Sequence, residues 1–185
     1  MDKNSLIKII SLKSGLKRNN CESVFEAVLK SISKDLKENK NVSVENFGDF
    51  CLFRVESRIQ TRKNIKVIYP PSNQVEFLLS GENLKTESVI SGPKKKEIAF
   101  EIASEFKLTD TDSEAIVNII FCTLKESFRK NKIVFIQKFG EFKNTSNNKI
   151  VFRPCKKLCK RINYCFNDLE IVEVRLEEKI IEEQN

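Results

Sequence analysis

Apolar residues in the first third of the chain recur at helical spacing. The i, i+3, i+4, i+7 pattern along residues 21–36 predicts an amphipathic helix that packs one face against a core. Its apolar positions are Cys21, Val24, Phe25, Val28, Leu29, Ile32 and Leu36. A shorter amphipathic segment at residues 3–14 predicts a helix before it. The alternation of Val42 and Val44 predicts a short strand after it.

The same order of elements recurs 92 residues further along the chain. Residues 94–106 predict the short helix again, and residues 117–128 predict the longer one. A strand alternation follows at residues 134–136. The tetrapeptide FGDF at residues 47–50 then returns as FGEF at residues 139–142. Because the match covers the whole unit, the chain holds two copies of one domain.

Local signals support these elements. Thr109, with Asp112 three residues later, resembles a capping box and predicts a helix start. The glycine of each tetrapeptide is expected to permit a bulge or a positive φ where one strand turns into the next. The flanking phenylalanines are predicted to be core residues.

The two copies differ in the strand pair that follows the tetrapeptide. The repeat offset falls from 92 to 74, so the second copy lacks 18 residues there. In the first copy a long hairpin is predicted from residues 50–60 and 65–69. In the second copy only residues 142–144 and 149–152 remain. One copy is therefore expected to carry a projecting arm and the other a stub.

The net charge of +7 is unevenly distributed along the 185 residues. Residues 1–92 carry 15 basic and 11 acidic side chains, and residues 93–166 carry 16 and 8. Residues 167–185 carry 2 and 7, so an acidic extension follows a strongly basic body. A basic body of this kind favours a polyanionic partner, although a solvated lysine-rich surface stays open.

The composition argues against several other classes. The chain has no histidine, and its six cysteines are interpreted as reduced thiols, with no metal and no cofactor expected. No glycine-rich phosphate loop or nucleophile–base pattern suggests an enzyme. No apolar run is long enough to cross a membrane. No secretory signal is expected, while an organelle transit peptide stays open because the N-terminal segment is amphipathic and basic.

The order and spacing of these elements resemble the bacterial nucleoid protein HU and integration host factor. In the first copy the resemblance rests on SLIKIISLKSGL, VSVENFGDF and IKVIYPPSNQVEFLLSGENLK. In the second copy it rests on FIQKFGEF and VFRPCKKLCKRIN. It covers roughly residues 1–90 and 94–163.

The resemblance implies an α+β fold of two tandem HU-like domains that form an intramolecular pseudo-dimer. The expected domains are residues 1–91 with the long β-arm and residues 92–166 with the truncated arm, followed by the acidic extension 167–185. A linker is expected near residues 87–95, and exchange into a dimer of chains stays open. The implied function is non-enzymatic, largely sequence-independent architectural binding of double-stranded DNA, through a basic saddle and one arm in the minor groove. The implied location is cytoplasmic and nucleoid-associated, with an organelle or viral nucleoid also open.

The expected DNA-contacting residues are the basic side chains of the arm, the helix starts and the last helix of each copy. On the arm, Arg54, Arg58 and Arg62 are expected to share one face, because strand side chains alternate with a period of two. The full set is Lys3, Arg54, Arg58, Arg62, Lys63, Lys66, Lys85, Lys94, Lys95, Lys96, Arg153, Lys156, Lys157, Lys160 and Arg161. The cluster from Arg153 to Arg161 is expected to serve the side that lacks an arm.

Two features depart from the family pattern. The arm tip reads QTRKN and lacks the proline that wedges between base pairs in the family, so weaker DNA bending is expected. The acidic extension fits a strand or a helix equally well, and it could cover a sheet edge or compete with DNA. An alternative function is an HU-fold interaction or scaffold module that has lost DNA binding. RNA binding is a third possibility, although no aromatic stacking platform is evident.

Overall fold

Each copy of the repeat begins with a pair of helices. The computed structural model describes residues 1–62, 65–80, 94–145, 147, 149–166 and 169–175. The helices of the first copy are α1 (Lys3–Ser14) and α2 (Arg18–Lys37). Those of the second copy are α3 (Lys94–Phe106) and α4 (Asp110–Lys130). The predicted short helices at residues 3–14 and 94–106 are confirmed. None of the helices in the described part of the chain is long and apolar enough to cross a membrane.

Side-chain hydrogen bonds cap the starts of α1 and α4. The carboxylate of Asp2 accepts a hydrogen bond from the Ser5 amide at 2.9 Å and so caps α1. The Thr109 hydroxyl accepts from the Asp112 amide at 3.1 Å and donates to the Asp112 carboxylate at 2.7 Å. The predicted helix start at Thr109 is therefore confirmed, with aspartate in the place of the usual glutamate.

Two three-stranded antiparallel sheets follow the helix pairs, one in each copy. In the first copy the sheet has the order β1–β2–β5. Its strands are β1 (Val42–Val44), β2 (Gly48–Val55) and β5 (Ser72–Leu79). In the second copy β6 (Ile133–Ile136), β7 (Gly140–Asn144) and β8 (Ile150–Pro154) form the equivalent sheet. β5 packs beside β8, which brings the two sheets together.

The arm extends from the first sheet between β2 and β5. It consists of β3 (Arg58–Arg62) and β4 (Ile65–Tyr69), paired antiparallel. The predicted strand ran unbroken through residues 50–60, but the structure interrupts it at Glu56 and Ser57. Pro70 and Pro71 interrupt the returning strand at the same level, and prolines cannot donate to the ladder. The stub of the second copy has only the five residue pairs of β7 and β8.

Three further elements complete the described chain. The helix α5 (Lys156–Ile162) and a 3₁₀ turn (Tyr164–Phe166) follow β8. The acidic extension then forms β9 (Val172–Arg175), which pairs antiparallel with β4. The sequence left both a strand and a helix open for this segment, and residues 172–175 form a strand. Residues 81–93, which include most of the predicted linker, lie outside the described residues.

A single apolar core joins the two copies. Phe47 of the first copy lies 4.8 Å from Phe121 of the second, measured between ring centroids. Phe50 lies 5.6 Å from Phe152, and the Phe77 ring lies 5.3 Å from another ring of the second copy, that of Phe142. These rings are almost fully buried. The fold is therefore an α+β intramolecular pseudo-dimer, and the phenylalanines of both tetrapeptides are core residues as predicted.

The corner glycines are required by close packing. At Gly48, a β-carbon would lie 2.4 Å from the Leu78 carbonyl oxygen, and the φ angle is +154°. At Gly140, it would lie 2.5 Å from the Arg153 carbonyl oxygen. The residue with the compact left-handed conformation in each corner is not the glycine but the residue two positions before it. These residues are Asn46 and Lys138, with φ angles of 63° and 67°. The repeat thus extends to individual backbone conformations.

Candidate nucleic-acid interface

One face of the arm carries arginine and aromatic side chains. Arg58 stands opposite Tyr69 in the β3–β4 register, and its guanidinium carbon lies 4.8 Å from the centroid of that ring. The Tyr69 hydroxyl donates to the Gln60 amide oxygen at 3.3 Å, which places Gln60 on the same face. Arg62 follows two residues later, in register with Ile65. The predicted alternation is therefore present in β3.

The opposite face of the arm is largely apolar. Ile59, Ile68 and Val172 stand in register across β3, β4 and β9. Lys66 is in register with Val174 on this same side. Ile59 is 65% exposed, so the apolar face is not covered by the body. Lys66 therefore lies on the face that Arg58 does not occupy.

The base of the arm is attached to the end of α5. The Asn73 amide donates to the Asn163 side-chain oxygen at 2.6 Å, and the Asn163 side chain donates back to the Asn73 carbonyl at 3.1 Å. Arg54 lies over the Phe166 ring at 5.6 Å and pairs with Glu56 at 3.3 Å. These contacts join the second copy's last helix to the first copy's arm.

The basic cluster of α5 belongs to this side of the molecule. Cys155 caps the helix, since its thiol accepts a hydrogen bond from the Leu158 amide at 3.4 Å. Leu158 and Ile162 are buried and Cys159 is half-buried, so the remaining positions of the helix face solvent. Its exposed basic residues are Lys156, Lys157, Lys160 and Arg161, with Arg153 exposed on β8 just before them. The cluster runs from Arg153 on β8 of the stub to the end of α5 at the base of the long arm, and its expected role on the armless side stays a prediction.

Two of the expected contact lysines are largely buried in ion pairs within the body of the protein. Lys94 is 7% exposed and lies 2.9 Å from both Asp35 and Glu97. Burial lowers the pKa of Lys94, but its hydrogen bonds to Asp35 and Glu97 outweigh that effect and leave the pKa raised. Lys3 is held in the same manner by Glu22 and Glu26. The ammonium groups of Lys3 and Lys94 are therefore occupied by carboxylates of the protein itself.

The other expected residues have varied positions. Lys96 is exposed at the start of α3, and Lys95 is half-buried beside it. These two lysines line a shallow cavity with Glu45 and Glu114, so this side of the body carries mixed charge. Lys63 and Lys85 lie outside the described residues, as does the side chain of Arg62.

A cavity of about 210 Å³ lies between the two copies. It is lined by Lys30 of α2, Lys138 of the second corner and Arg161 of α5, together with the paired Lys3 and Glu26. Lys30 and Lys138 were missed by the sequence reasoning. Their positions in the sequence give no signal of this proximity, because the cavity exists only when the two copies pack together.

No metal centre is formed within the described parts of the chain. Cys155 and Cys159 are half-buried neighbours on α5, and burial raises the pKa of the Cys159 thiol. No group of three potential ligands comes together among the described residues. The arrangement of exposed arginines and lysines is suited to contacts with phosphate groups.

Comparison with known proteins identifies the class to which this fold and this basic surface belong. The family described as bacterial DNA-binding protein matches twice, at residues 1–87 and 93–149, and the chain belongs to that family. The resemblance recognised in the sequence is thereby confirmed.

Several relatives match a single copy of the repeat. DNA-binding protein HU of Buchnera aphidicola subsp. Acyrthosiphon pisum is 34% identical over 89 residues, which cover 46% of this chain and 94% of that protein. The HU protein of Buchnera aphidicola subsp. Baizongia pistaciae is 30% identical over 87 residues, covering 46% of this chain and 95% of the relative. DNA-binding protein HRm of Rhizobium meliloti is 28% identical over 86 residues, covering 46% and 96%. The present chain is therefore about twice the length of these relatives.

Proposed function

We propose that this protein is a non-enzymatic, nucleoid-associated architectural protein that binds double-stranded DNA with little sequence preference. The observation that carries the proposal is the long arm, whose face with Arg58 and Gln60 is open to solvent. The family membership and the basic body support the same function. The described part of this surface consists of the arm and of exposed lysines and arginines, so contacts to phosphates rather than to base edges account for binding.

The proposed contact surface combines the arm with one side of the body. On the arm, Arg58, Arg62 and Lys63 approach the minor groove, where arginine is favoured at narrow A·T tracts. At the base of the arm, α5 contributes Lys156, Lys157, Lys160 and Arg161. Lys30 and Lys138 extend this basic side into the cavity between the copies. The remaining candidates, Arg54, Lys66, Lys85, Lys95, Lys96 and Arg153, stay as secondary contacts.

The proposed organisation assigns different tasks to three segments. Residues 1–91 supply the long arm, residues 92–166 supply α5 and the stub, and residues 167–185 form the acidic extension. Because the arm tip lacks a wedge proline, the protein is proposed to bend DNA less than a two-armed relative does. This difference is measurable by fluorescence transfer between the two ends of a duplex.

An electrophoretic shift on random-sequence duplex DNA tests the proposal. With about five to eight phosphate contacts, the affinity is expected to fall by roughly two orders of magnitude or more between 50 and 200 mM salt. Random and fixed sequences should compete equally. A folded protein that shifts no duplex at low salt would instead support the alternative, a scaffold module, which the acidic strand on the arm favours.

A pair of matched variants tests the role of the arm. Replacing Arg58 and Arg62 with alanine should make the slope of log affinity against log salt shallower by about 1.8, which is two lost phosphate contacts. The protected DNA footprint should shorten on one side only. Replacing the exposed Lys8 and Lys37 on the helices removes the same charge and should leave the footprint unchanged. Equal losses in the two variants would contradict the assignment of the arm.

The proposed pairing of the two copies within one chain is tested by light scattering. A particle mass near that of a single chain, 21.4 kDa, is expected. A stable particle of twice that mass would show that chains exchange their halves.

A further inference from the structure

The arm is a three-stranded sheet, because the acidic extension adds β9 to its outer edge. β9 pairs with β4 over four positions, from Ile65 opposite Arg175 to Ile68 opposite Val172. The sheet order is therefore β3–β4–β9, with β4 in the centre. The backbone groups on the outer edge of β4 are thus occupied by the protein's own chain.

The path of the chain keeps this strand close to the arm. Asn163 and Phe166, which precede the extension, contact Asn73 and Arg54 at the arm base. Only a short segment separates Phe166 from the first residue of β9. A strand held this close has a high effective concentration at the β4 edge and pairs with it even when the pairing is weak.

The side chains of β9 hold it only loosely. Val172 is 50% exposed and Val174 is 42% exposed, so each valine covers only part of its apolar surface. Glu173 is in register with Val67, which is itself in register with Gln60. A carboxylate therefore stands on the same face as Arg58, where a phosphate would otherwise be attracted.

The width of the three-stranded arm conflicts with entry into a groove. Neighbouring strands are about 4.8 Å apart, so β9 widens the ribbon by about that distance. The minor groove of B-form DNA is only about 6 Å wide. Two strands already require that the groove open, and a third strand with an acidic side chain adds both bulk and repulsion.

We propose that the outer edge of β4 is a strand-binding surface on which β9 and the DNA groove compete. This inference rests on the proposed function. In the free protein β9 occupies the edge, and binding of duplex DNA to the arm releases it. The surface accepts a short extended peptide in which β-branched and charged residues alternate, and the protein supplies this peptide itself.

Two full-length variants test this competition. One should release β9 from β4, and the other should hold it there. Replacing the adjacent residues Val174 and Arg175 with proline removes one backbone donor on each side of β9, so a donor facing β4 is lost and pairing is disrupted. This variant should bind random-sequence duplex about fivefold more tightly or better, the lower range for coupling between competing sites. Replacing Ile68 and Val172 with cysteine creates a disulfide across one register pair, where the α-carbons of opposed residues are suitably close.

The oxidised cysteine variant should bind as if it had no arm. Its salt slope should be shallower than that of the unmodified protein by at least about 1.8, the change expected for the Arg58 and Arg62 double variant. Reduction of the disulfide should restore normal binding. The single variants Ile68→Cys and Val172→Cys, oxidised in the same way, control for the native cysteines. Duplex DNA added before oxidation should slow formation of the disulfide.

The outcomes separate this inference from the function on which it rests. If the locked and the proline variants bind DNA as tightly as the unmodified protein does, the competition is refuted but the proposed function is not. β9 would then be part of the arm that binds DNA. Weaker binding by the proline variant would overturn it as well. A folded protein that binds no duplex in any of these forms would refute the proposed function and the competition together.

Discussion

Lys94 connects the two copies through a largely buried ion pair, and replacing it with methionine is expected to weaken the fold. Its ammonium lies 2.9 Å from the Asp35 carboxylate of α2, and the two side chains are 8% and 15% exposed. Methionine retains most of the volume but leaves Asp35 charged and without this partner. Breaking a fully buried pair costs about 3–5 kcal/mol. Since Asp35 keeps some contact with water, we expect a loss of about 2–3 kcal/mol of unfolding free energy.

The pH dependence of this loss follows from the raised pKa of Lys94. A lysine whose pKa is higher in the folded state stabilises the protein fully below its unfolded-state value of about 10.4. That stability disappears as the pH rises through the folded-state pKa, which its hydrogen bonds to Asp35 and Glu97 raise above that of a free lysine. The difference between the unmodified protein and Lys94→Met should therefore be constant near neutral pH and narrow only in strong alkali.

Urea unfolding followed by circular dichroism measures the effect. The matched control is Lys40→Met, because Lys40 pairs with Glu38 at 2.8 Å while both side chains are about half exposed. That surface pair should contribute less than about 1 kcal/mol. A double-mutant cycle with Asp35→Asn isolates the coupling between Lys94 and Asp35. Equal destabilisation by the two lysine substitutions would refute the reasoning that burial decides the value of this pair.

Three further predictions concern packing and the basic side of the body. Gly48→Ala and Gly140→Ala should each cost about 3 kcal/mol of stability, because the added carbon meets a backbone carbonyl; thermal unfolding within a degree of the unmodified protein would contradict this. Thr123→Val should raise stability by about 1 kcal/mol in urea unfolding, since the buried hydroxyl has no partner among the described residues; a loss would indicate a hidden hydrogen bond. Replacing Lys30 and Lys138 with alanine should make the salt slope of DNA binding shallower by up to about 1.8; an unchanged slope in the electrophoretic shift would exclude both from the interface.

The parts of the fold that could be predicted from the sequence are those set by local periodicity. The apolar residues along positions 21–36 all lie on one face, which packs against one core. Their spacing was therefore enough to identify a helix. The two FG-acid-F tetrapeptides marked the corners because a glycine is needed where a β-carbon would meet the Leu78 or Arg153 carbonyl oxygen. The repeat then identified the second copy independently of any single motif.

The parts that could not be predicted depend on contacts between distant segments. The position of α5 beside the long arm follows from how the two copies pack, which places Asn163 against Asn73, 90 residues away. Lys3 and Lys94 look like other lysines in the sequence, and only the fold shows that carboxylates hold them. The pattern of the four residues that form β9 fits a strand and a helix equally well. They adopt the strand because β4 offers a sheet edge with which they can pair.

The presence of both copies in one chain changes how the surface can vary. In a dimer of identical chains, each substitution appears twice and alters both halves of the complex at once. Here α5 with its lysines and the long arm each occur once in the described structure, and a substitution in either alters one side of the molecule only. A substitution at one site is therefore not repeated at the corresponding site of the other copy, where it could be unfavourable. The two halves can therefore specialise while the shared phenylalanine core, which needs both of them, keeps them together.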